Sequence, residues 1–364
     1  MNFSEKQYPL FVLTLVFFVL LCSGMLNYFV DPANLYRGGT YEHGIVSFLQ
    51  QEKNVANIAN YDERLLQKYY VESLQEKKHV LVLGSSRAMQ IRSKLFMPNS
   101  FYNSSVSGAS IEDYLAIFYM YYENNYIPEK VILGIDPWVF NKNSNQTRWR
   151  TNQRYYHDML GVIGSDQKNN KKEYSLQTNK VMQLISWGYL KESLKALIKG
   201  TTKKKEKQFD YYPIQGDVAD VTVKRSDGSL YEAGYDKQTR DDVRKRVVNF
   251  IAKPYSLQKF HEINILANKE LEQFIAFLNE LGVEITIFLA PYHPYVYKHM
   301  VELGDKKIVS DVEHYLRTMA KNNNLTVKGS YDPSRSDCVE EEFYDGMHPK
   351  ESCVNRIFQE NYYD

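Results

Sequence analysis

His79-Val80-Leu81-Val82-Leu83-Gly84-Ser85-Ser86-Arg87 is an apolar run that stops at a glycine and delivers two serines. Bounded by charge on one side and glycine on the other, it reads as a strand covered on both faces. Similar segments recur outward from it. Residues 100–105 form a second short strand candidate, ending at Ser107-Gly108-Ala109-Ser110, and residues 111–124 turn helical with Ser110 as N-cap. Residues 130–135 make a third strand, ending at Asp136-Pro137. Residues 257–281 read as a long helix with Gly282 at its C-cap. A fourth strand, 284–290, closes at Pro291-Tyr292-His293-Pro294. Residues 61–75, 86–95, 306–322 and 349–360 read as helices, and 325–328 as a fifth strand. This alternation predicts an α/β fold, a three-layer sandwich with a mainly parallel sheet. Ligands bind such sheets at the carboxyl ends of the strands. Ser85-Ser86, Ser107-Gly108, Asp136 and His293 all fall at those ends.

The N-terminus sets the expected compartment. Residues 9–26 are an 18-residue stretch without a charged side chain, and the run continues to Val30. About 20 apolar residues span a bilayer as a helix. Ser23-Gly24-Met25 fits a signal-peptidase site poorly, and Leu21 is too large before Cys22 for a lipoprotein site. We therefore expect a signal anchor over residues 1–30, crossing at about 9–28, then a membrane-proximal segment 31–76 and a domain 77–364. Glu5, Lys6 and Arg37 barely bias its orientation, but one N-terminal anchor before a long domain normally exports that domain. The domain is expected outside the cytoplasm on a single-pass protein. Residues 141–255 break the alternation and read as an insertion. It holds helical stretches near 179–199 and 239–252 and a turn-like Arg225-Ser226-Asp227-Gly228-Ser229. Trp149, Arg150, Arg154, Tyr155 and Tyr156 form either a platform for a charged polysaccharide or packing of the insertion on the core.

Forty-five basic residues against 44 acidic give a net charge of +1, which carries no electrostatic footprint for nucleic acid. Basic runs at 168–172 and 199–207 read as solvated loops. The 30 tyrosines lend weak support to a carbohydrate partner, although tyrosine also serves ordinary packing. Of three cysteines, Cys22 lies in the apolar segment, and Cys338 and Cys353 bracket a second chemistry-bearing segment. In an exported domain those two can form a disulfide, worth roughly 3 kcal/mol for a loop of ~15 residues, or remain two thiols. No Cys-x-x-Cys or nearby second histidine suggests a metal.

That second segment is Asp345-Gly346-Met347-His348-Pro349. A serine hydroxyl needs a base to take its proton, and a histidine needs a carboxylate to fix its tautomer. Asp345 and His348 supply that pair within one turn of chain, with Gly346 permitting a tight conformation, and a serine from the first strand completes a triad.

The strand with Gly84-Ser85-Ser86, Gly108 after the second strand, and Asp345-Gly-Met-His348 near the end together resemble the SGNH (GDSL-type) hydrolase superfamily. The resemblance covers about residues 77–140 and 256–364. Its nearest branches are membrane-anchored proteins of cell-surface polysaccharide O-acetylation and the D-alanyl-lipoteichoic acid protein. It implies Ser86 as nucleophile, Asp345 and His348 as the acid–base pair, and backbone N–H groups of Ser86 and Gly108 as oxyanion donors. Two departures stand out. Ser85 replaces the usual aspartate, and Gly134-Ile135-Asp136 replaces a Gly-x-Asn block. An ionised Asp136 cannot donate to an oxyanion. Either Asn103 donates instead, or Asp136 binds a substrate hydroxyl, or catalysis is weak. Arg87 is a candidate for an anionic group, with capping or an ion pair as the alternative. His293 is a candidate substrate contact or a structural histidine. The expected function is serine-dependent acyl transfer or ester hydrolysis on a cell-surface polysaccharide, with O-acetyl as the acyl group and a membrane-bound acyl-transfer partner as a neighbour. No metal or organic cofactor is implied. The alternative is a non-catalytic glycan-binding or assembly protein of an acylation complex.

Overall fold

The structure, a computed structural model, describes residues 7–30, 39–164, 184–198, 210–218, 220–234 and 237–359. The basic runs at 168–172 and 199–207, the flanking Glu5, Lys6 and Arg37, and the start of the expected 179–199 helix lie outside them. In chain order the elements are α1 (Gln7–Val30), α2 (Thr40–Leu49), β1 (Asn54–Ala56), α3 (Glu63–Glu72), β2 (Val80–Leu83) and β3 (Phe101–Asn103). Then follow α4 (Ile111–Glu123), β4 (Lys130–Gly134), α5 (Gln153–Val162), α6 (Trp187–Ile198), β5 (Tyr212–Ile214), β6 (Val223–Lys224) and β7 (Leu230–Tyr231). The last are α7 (Arg240–Ala252), α8 (Ile265–Glu280), β8 (Glu284–Leu289), α9 (Ile308–Asn322), β9 (Thr326–Gly329) and α10 (Glu351–Gln359).

The chain divides into two compact units, residues 1–43 with 170–209 and residues 44–169 with 210–364. In the first, Phe11–Val30 of α1 has a mean hydropathy of 2.1 over 20 residues. It is long and apolar enough to cross a membrane. Its large side chains face outward, as Phe17 and Phe29 do. The one buried polar group near its end is matched: Asn27 Nδ2 donates to Leu184 O at 2.7 Å, and Ser193 Oγ of α6 donates to Asn27 Oδ1 at 2.8 Å.

The second unit is mixed α/β around a five-stranded parallel sheet, ordered β3-β2-β4-β8-β9. All four residues of β2 are buried, as expected of a central parallel strand covered on both faces. Counted along the chain the order is 2-1-3-4-5, so it reverses between β2 and β4. In open α/β sheets a ligand crevice opens at that reversal. Gly84 and Gly134 end these two strands. A Cβ on either would stand 2.7 or 2.9 Å from the Ala88 Cβ, so their bareness lets the turn after Ser86 lie across the sheet end. On one face Val354 and Ile357 of α10 join Val80, Val82, Ile132 and Phe288, with Cys338 and Cys353 in the same cluster. Those cysteines are disulfide-bonded, Cα atoms 5.5 Å apart. Elsewhere α4 packs on α5 and α8, with Phe118 edge-on to Phe274 at 5.3 Å.

A second, antiparallel sheet, β5-β1-β6-β7, joins one strand from before the core to three from the 141–255 region. The turn at 225–229 is its β6–β7 hairpin, and it docks on the edge of the parallel sheet: Asn103 N donates to Asp227 O at 2.8 Å. Two expected helices are shorter than their sequences suggest. Residues 86–95 form two single 3-10 turns, Ser86–Ala88 and Ser93–Leu95, because Ser85 Oγ and the Asp227 carboxylate each cap a new start. The 257–281 helix begins only at Ile265, capped by Asn264, since Ser256 and Lys259 hold positive φ. Some of the tyrosines serve packing: Tyr102, Tyr114, Tyr121, Tyr292 and Tyr331 are all fully buried. The aromatic platform is also packing. Tyr155 and Tyr156 are buried, Trp149 stands edge-on to Tyr156 at 5.1 Å, and Arg154 pairs with Glu123 and Asp158.

Candidate active site

Ser86 begins the 3-10 turn that follows β2. From Val80 to Ile91 it is the only residue that is not buried. Its Oγ lies 2.9 Å from His348 Nε2, and His348 Nδ1 lies 2.8 Å from Asp345 Oδ2. The other carboxylate oxygen, Asp345 Oδ1, accepts the backbone N–H groups of Met347 at 2.8 Å and His348 at 3.0 Å. Burial pushes the Asp345 carboxyl up, but His348 and these two N–H groups outweigh it and bring it down to about 2. Asp345 is thus ionised at neutral pH, as the partner of an imidazole that gains a proton must be.

The loop that carries this pair is a short hairpin. Tyr344 N donates to His348 O at 3.0 Å and Lys350 N to Glu342 O at 2.7 Å, while the disulfide ties its flanks together. Phe250 of α7 packs directly on Gly346, 2.7 Å from where a Cβ would stand. Room for that ring, rather than a left-handed backbone, is what the glycine provides.

Arg87 is a buried strut behind Ser86 rather than an exposed anion contact. It is 1% exposed, and its guanidinium donates to Met347 O at 2.8 Å, to Asp136 Oδ1 at 2.8 Å and to Ala290 O. It also lies over the Tyr292 ring, 4.1 Å from the centroid. One side chain therefore joins the ends of β2, β4 and β8 to the acid–base loop. Asp136, 2% exposed, is its counter-ion and not a binder of substrate hydroxyls. Burial raises the Asp136 carboxyl, and Arg87 with Ser85 opposes that rise. Matching its charge with Arg87 answers the concern that a bare carboxylate would repel an oxyanion.

Two further candidates are corrected. Asn103 is fully buried, and its Nδ2 already donates to Ala88 O at 2.9 Å and Ile91 O at 3.0 Å, so no N–H remains for an oxyanion. His293, 4% exposed, caps the turn at Pro294 through Nδ1 at 3.1 Å from Tyr295 N. Its own N–H donates to Gly346 O at 3.1 Å, which makes it a support of the Asp345 loop. Burial lowers its imidazole and keeps it neutral in that role.

Gly108 has φ +57°, and a Cβ there would collide with Arg148 Nη2 at 2.2 Å and Tyr255 Oη at 2.5 Å. Neither the Ser86 N–H nor the Gly108 N–H has an acceptor among the described residues. Gln146 and Tyr255, which crowd Gly108, also line an open cleft of about 680 Å³ whose other wall includes Asp345, Gly346 and Met347. Its lining adds Asn249, Phe250, Lys253 and Ser256, and Asp345 is its one acidic residue.

Residues that motif reading missed stand behind Gly108. Glu63 and Arg64 of α3 hold Ser107, and Asp113 holds Arg64 at 2.8 Å. Asp113, three residues after Ser110, was the visible signal: it accepts the Ser110 N–H at 3.0 Å as in a capping box. A family described as "Protein of unknown function (DUF1574)" matches residues 40–360. No curated protein and no solved structure matches the chain.

Proposed function

The chain belongs to the DUF1574 family, and we propose that it is a membrane-anchored, SGNH-like serine enzyme that transfers or removes acyl groups on a cell-surface glycan. One observation carries this reading. An accessible serine, an imidazole and an ionised carboxylate form an unbroken chain of contacts of 2.9 and 2.8 Å across 262 residues of sequence. The parallel sheet and flanking helices then correspond to the three-layer sandwich of that superfamily. The apolar α1 serves as anchor, with the second unit outside the cytoplasm.

In the proposed reaction Ser86 Oγ attacks the ester carbonyl while His348 Nε2 takes its proton. Asp345 stabilises the imidazolium through Nδ1–H. The N–H groups of Ser86 and Gly108 receive the negative charge on the carbonyl oxygen. Collapse expels the alcohol, which leaves with the proton from His348, and an acyl group remains on Ser86. A second hydroxyl then gives its proton to His348 and attacks that ester, restoring Ser86. Water as acceptor makes the enzyme an esterase, and a sugar hydroxyl makes it a transferase. The cleft suits a hydroxylated ligand that also carries negative charge, since amides and hydroxyls of Gln146, Asn249 and Ser256 line it with the rings of Tyr255 and Phe250 and the cations Arg246 and Lys253.

Full-length protein and its Ser86→Ala variant, treated with a fluorophosphonate, test this directly. The wild-type peptide containing Ser86 should carry the label and the variant none. Equal absence of label from two folded proteins would overturn the serine-enzyme reading.

A further inference from the structure

We infer that Glu63 and Arg64, at the start of α3 and outside the hydrolase-like core, are positioning residues that aim the Gly108 N–H into the oxyanion site. The inference rests on the proposed acyl chemistry at Ser86. Its basis is one peptide unit. The carbonyl of Ser107 and the N–H of Gly108 belong to the same planar amide, and in a trans amide they point in opposite directions. Whatever holds the carbonyl therefore aims the N–H. Arg64 Nη2 donates to Ser107 O at 3.3 Å, and the same guanidinium is locked by a two-pronged pair with Asp113, 2.8 Å at each contact. Glu63 holds the other side of Ser107. Its Oε1 accepts the Ser107 hydroxyl at 2.8 Å and its Oε2 accepts the Ser107 N–H.

The neighbouring positions are tied as well. Val106 N donates to Gly84 O at 3.0 Å, beside the nucleophile turn, and Trp138 Nε1 donates to Ala109 O at 3.1 Å. Ser107 is thus held at its N–H, hydroxyl and carbonyl, while the Gly108 N–H has no acceptor among the described residues. Arg64 and Asp113 are both buried, so the clamp works where competition from water is weak. Two parts of the chain that motif reading keeps separate meet on one amide: the segment before the core and the core loop.

The test uses full-length protein in detergent with 4-nitrophenyl acetate as substrate and a fluorophosphonate as probe of Ser86. Removing an oxyanion donor outright costs ~10²–10³ in rate, and a misaimed donor should forfeit part of that. Glu63→Ala should lower kcat on the order of 10- to 100-fold with KM little changed, and slow fluorophosphonate labelling in parallel. Glu63→Gln, which keeps one acceptor oxygen, should recover part of both rates. Tyr156→Phe, which removes a remote contact to Glu270 of 3.0 Å, should leave both rates unaltered. Should Glu63→Ala prove unfolded, Glu63→Gln and Ser107→Ala give the same comparison, each expected to lower kcat several-fold. Wild-type rates in the folded Glu63 variants, alongside labelled wild type, would overturn the positioning role and leave the serine mechanism standing. An unlabelled, inactive wild type would overturn both.

Discussion

Three N–H groups converge on the Asp345 carboxylate, two from its own loop and one from the imidazole it orients. They hold it at about 2, below its ordinary 3.8. A carboxyl depressed in the folded state stabilises the fold above its ordinary range and loses that contribution as pH falls toward the folded value. Asp345→Asn should therefore unfold more easily than wild type at pH 7, by on the order of 2 kcal/mol. Urea titrations at successively lower pH should show the gap closing between about pH 4 and pH 2, and a gap independent of pH would contradict the account. Activity should fall by roughly 10⁴, since the imidazole would lose its fixed tautomer. Asp345 and His348 were legible in the sequence because partners three residues apart meet within one loop. The substrate-contact reading of Arg87 and Asp136 failed, and the ion-pair alternative for Arg87 held, because their roles are set by distant partners. The Arg87 guanidinium reaches residues 49, 203 and 260 positions away. No local pattern distinguishes a buried strut from an exposed anion-binding arginine.

At the scale of elements, the parallel strands were plain in the sequence, since a strand buried on both faces is a continuous apolar run. Helix ends and short turns were not, because side-chain caps from elsewhere decided them, as Asp227 does for Ser93. The antiparallel sheet was invisible for a related reason. Its strands are two or three residues long, too short for a period-two pattern, and β1 meets β5 and β6 across more than 150 positions. The Cys338–Cys353 bond belongs to this scale, joining the hairpin region to α10. Fifteen positions separate the two cysteines, and a loop of that size is worth roughly 3 kcal/mol. The paired Cys338→Ala and Cys353→Ala variant should unfold at lower urea by about that amount. A free-thiol count on unreduced, denatured wild type should find neither cysteine reactive, and titration of both would contradict the bond.

Across the whole molecule, the net charge is near zero and the first helix is long and apolar enough to cross a membrane. The proposed exported topology makes a simple prediction. A single added cysteine at exposed Asn145, in the Cys22→Ala background, should react with a membrane-impermeant maleimide in intact cells. Protection until the cells are lysed would place the domain on the cytoplasmic side. The cleft's neighbourhood was the least legible feature of all, because it is assembled from α7, the loops at 144–146 and 253–258, and the Asp345 hairpin. Apart from that hairpin each is unremarkable in sequence, and only the fold brings them beside Gly108 and Asp345.

The central claim is that Ser86 carries the acyl group between donor and acceptor. Acid quenching of full-length protein during turnover of an acetyl ester, followed by peptide mass spectrometry, tests it most directly. The account predicts acetyl on Ser86 in wild type, and neither acetyl nor turnover in Ser86→Ala. Undiminished turnover in Ser86→Ala would contradict it.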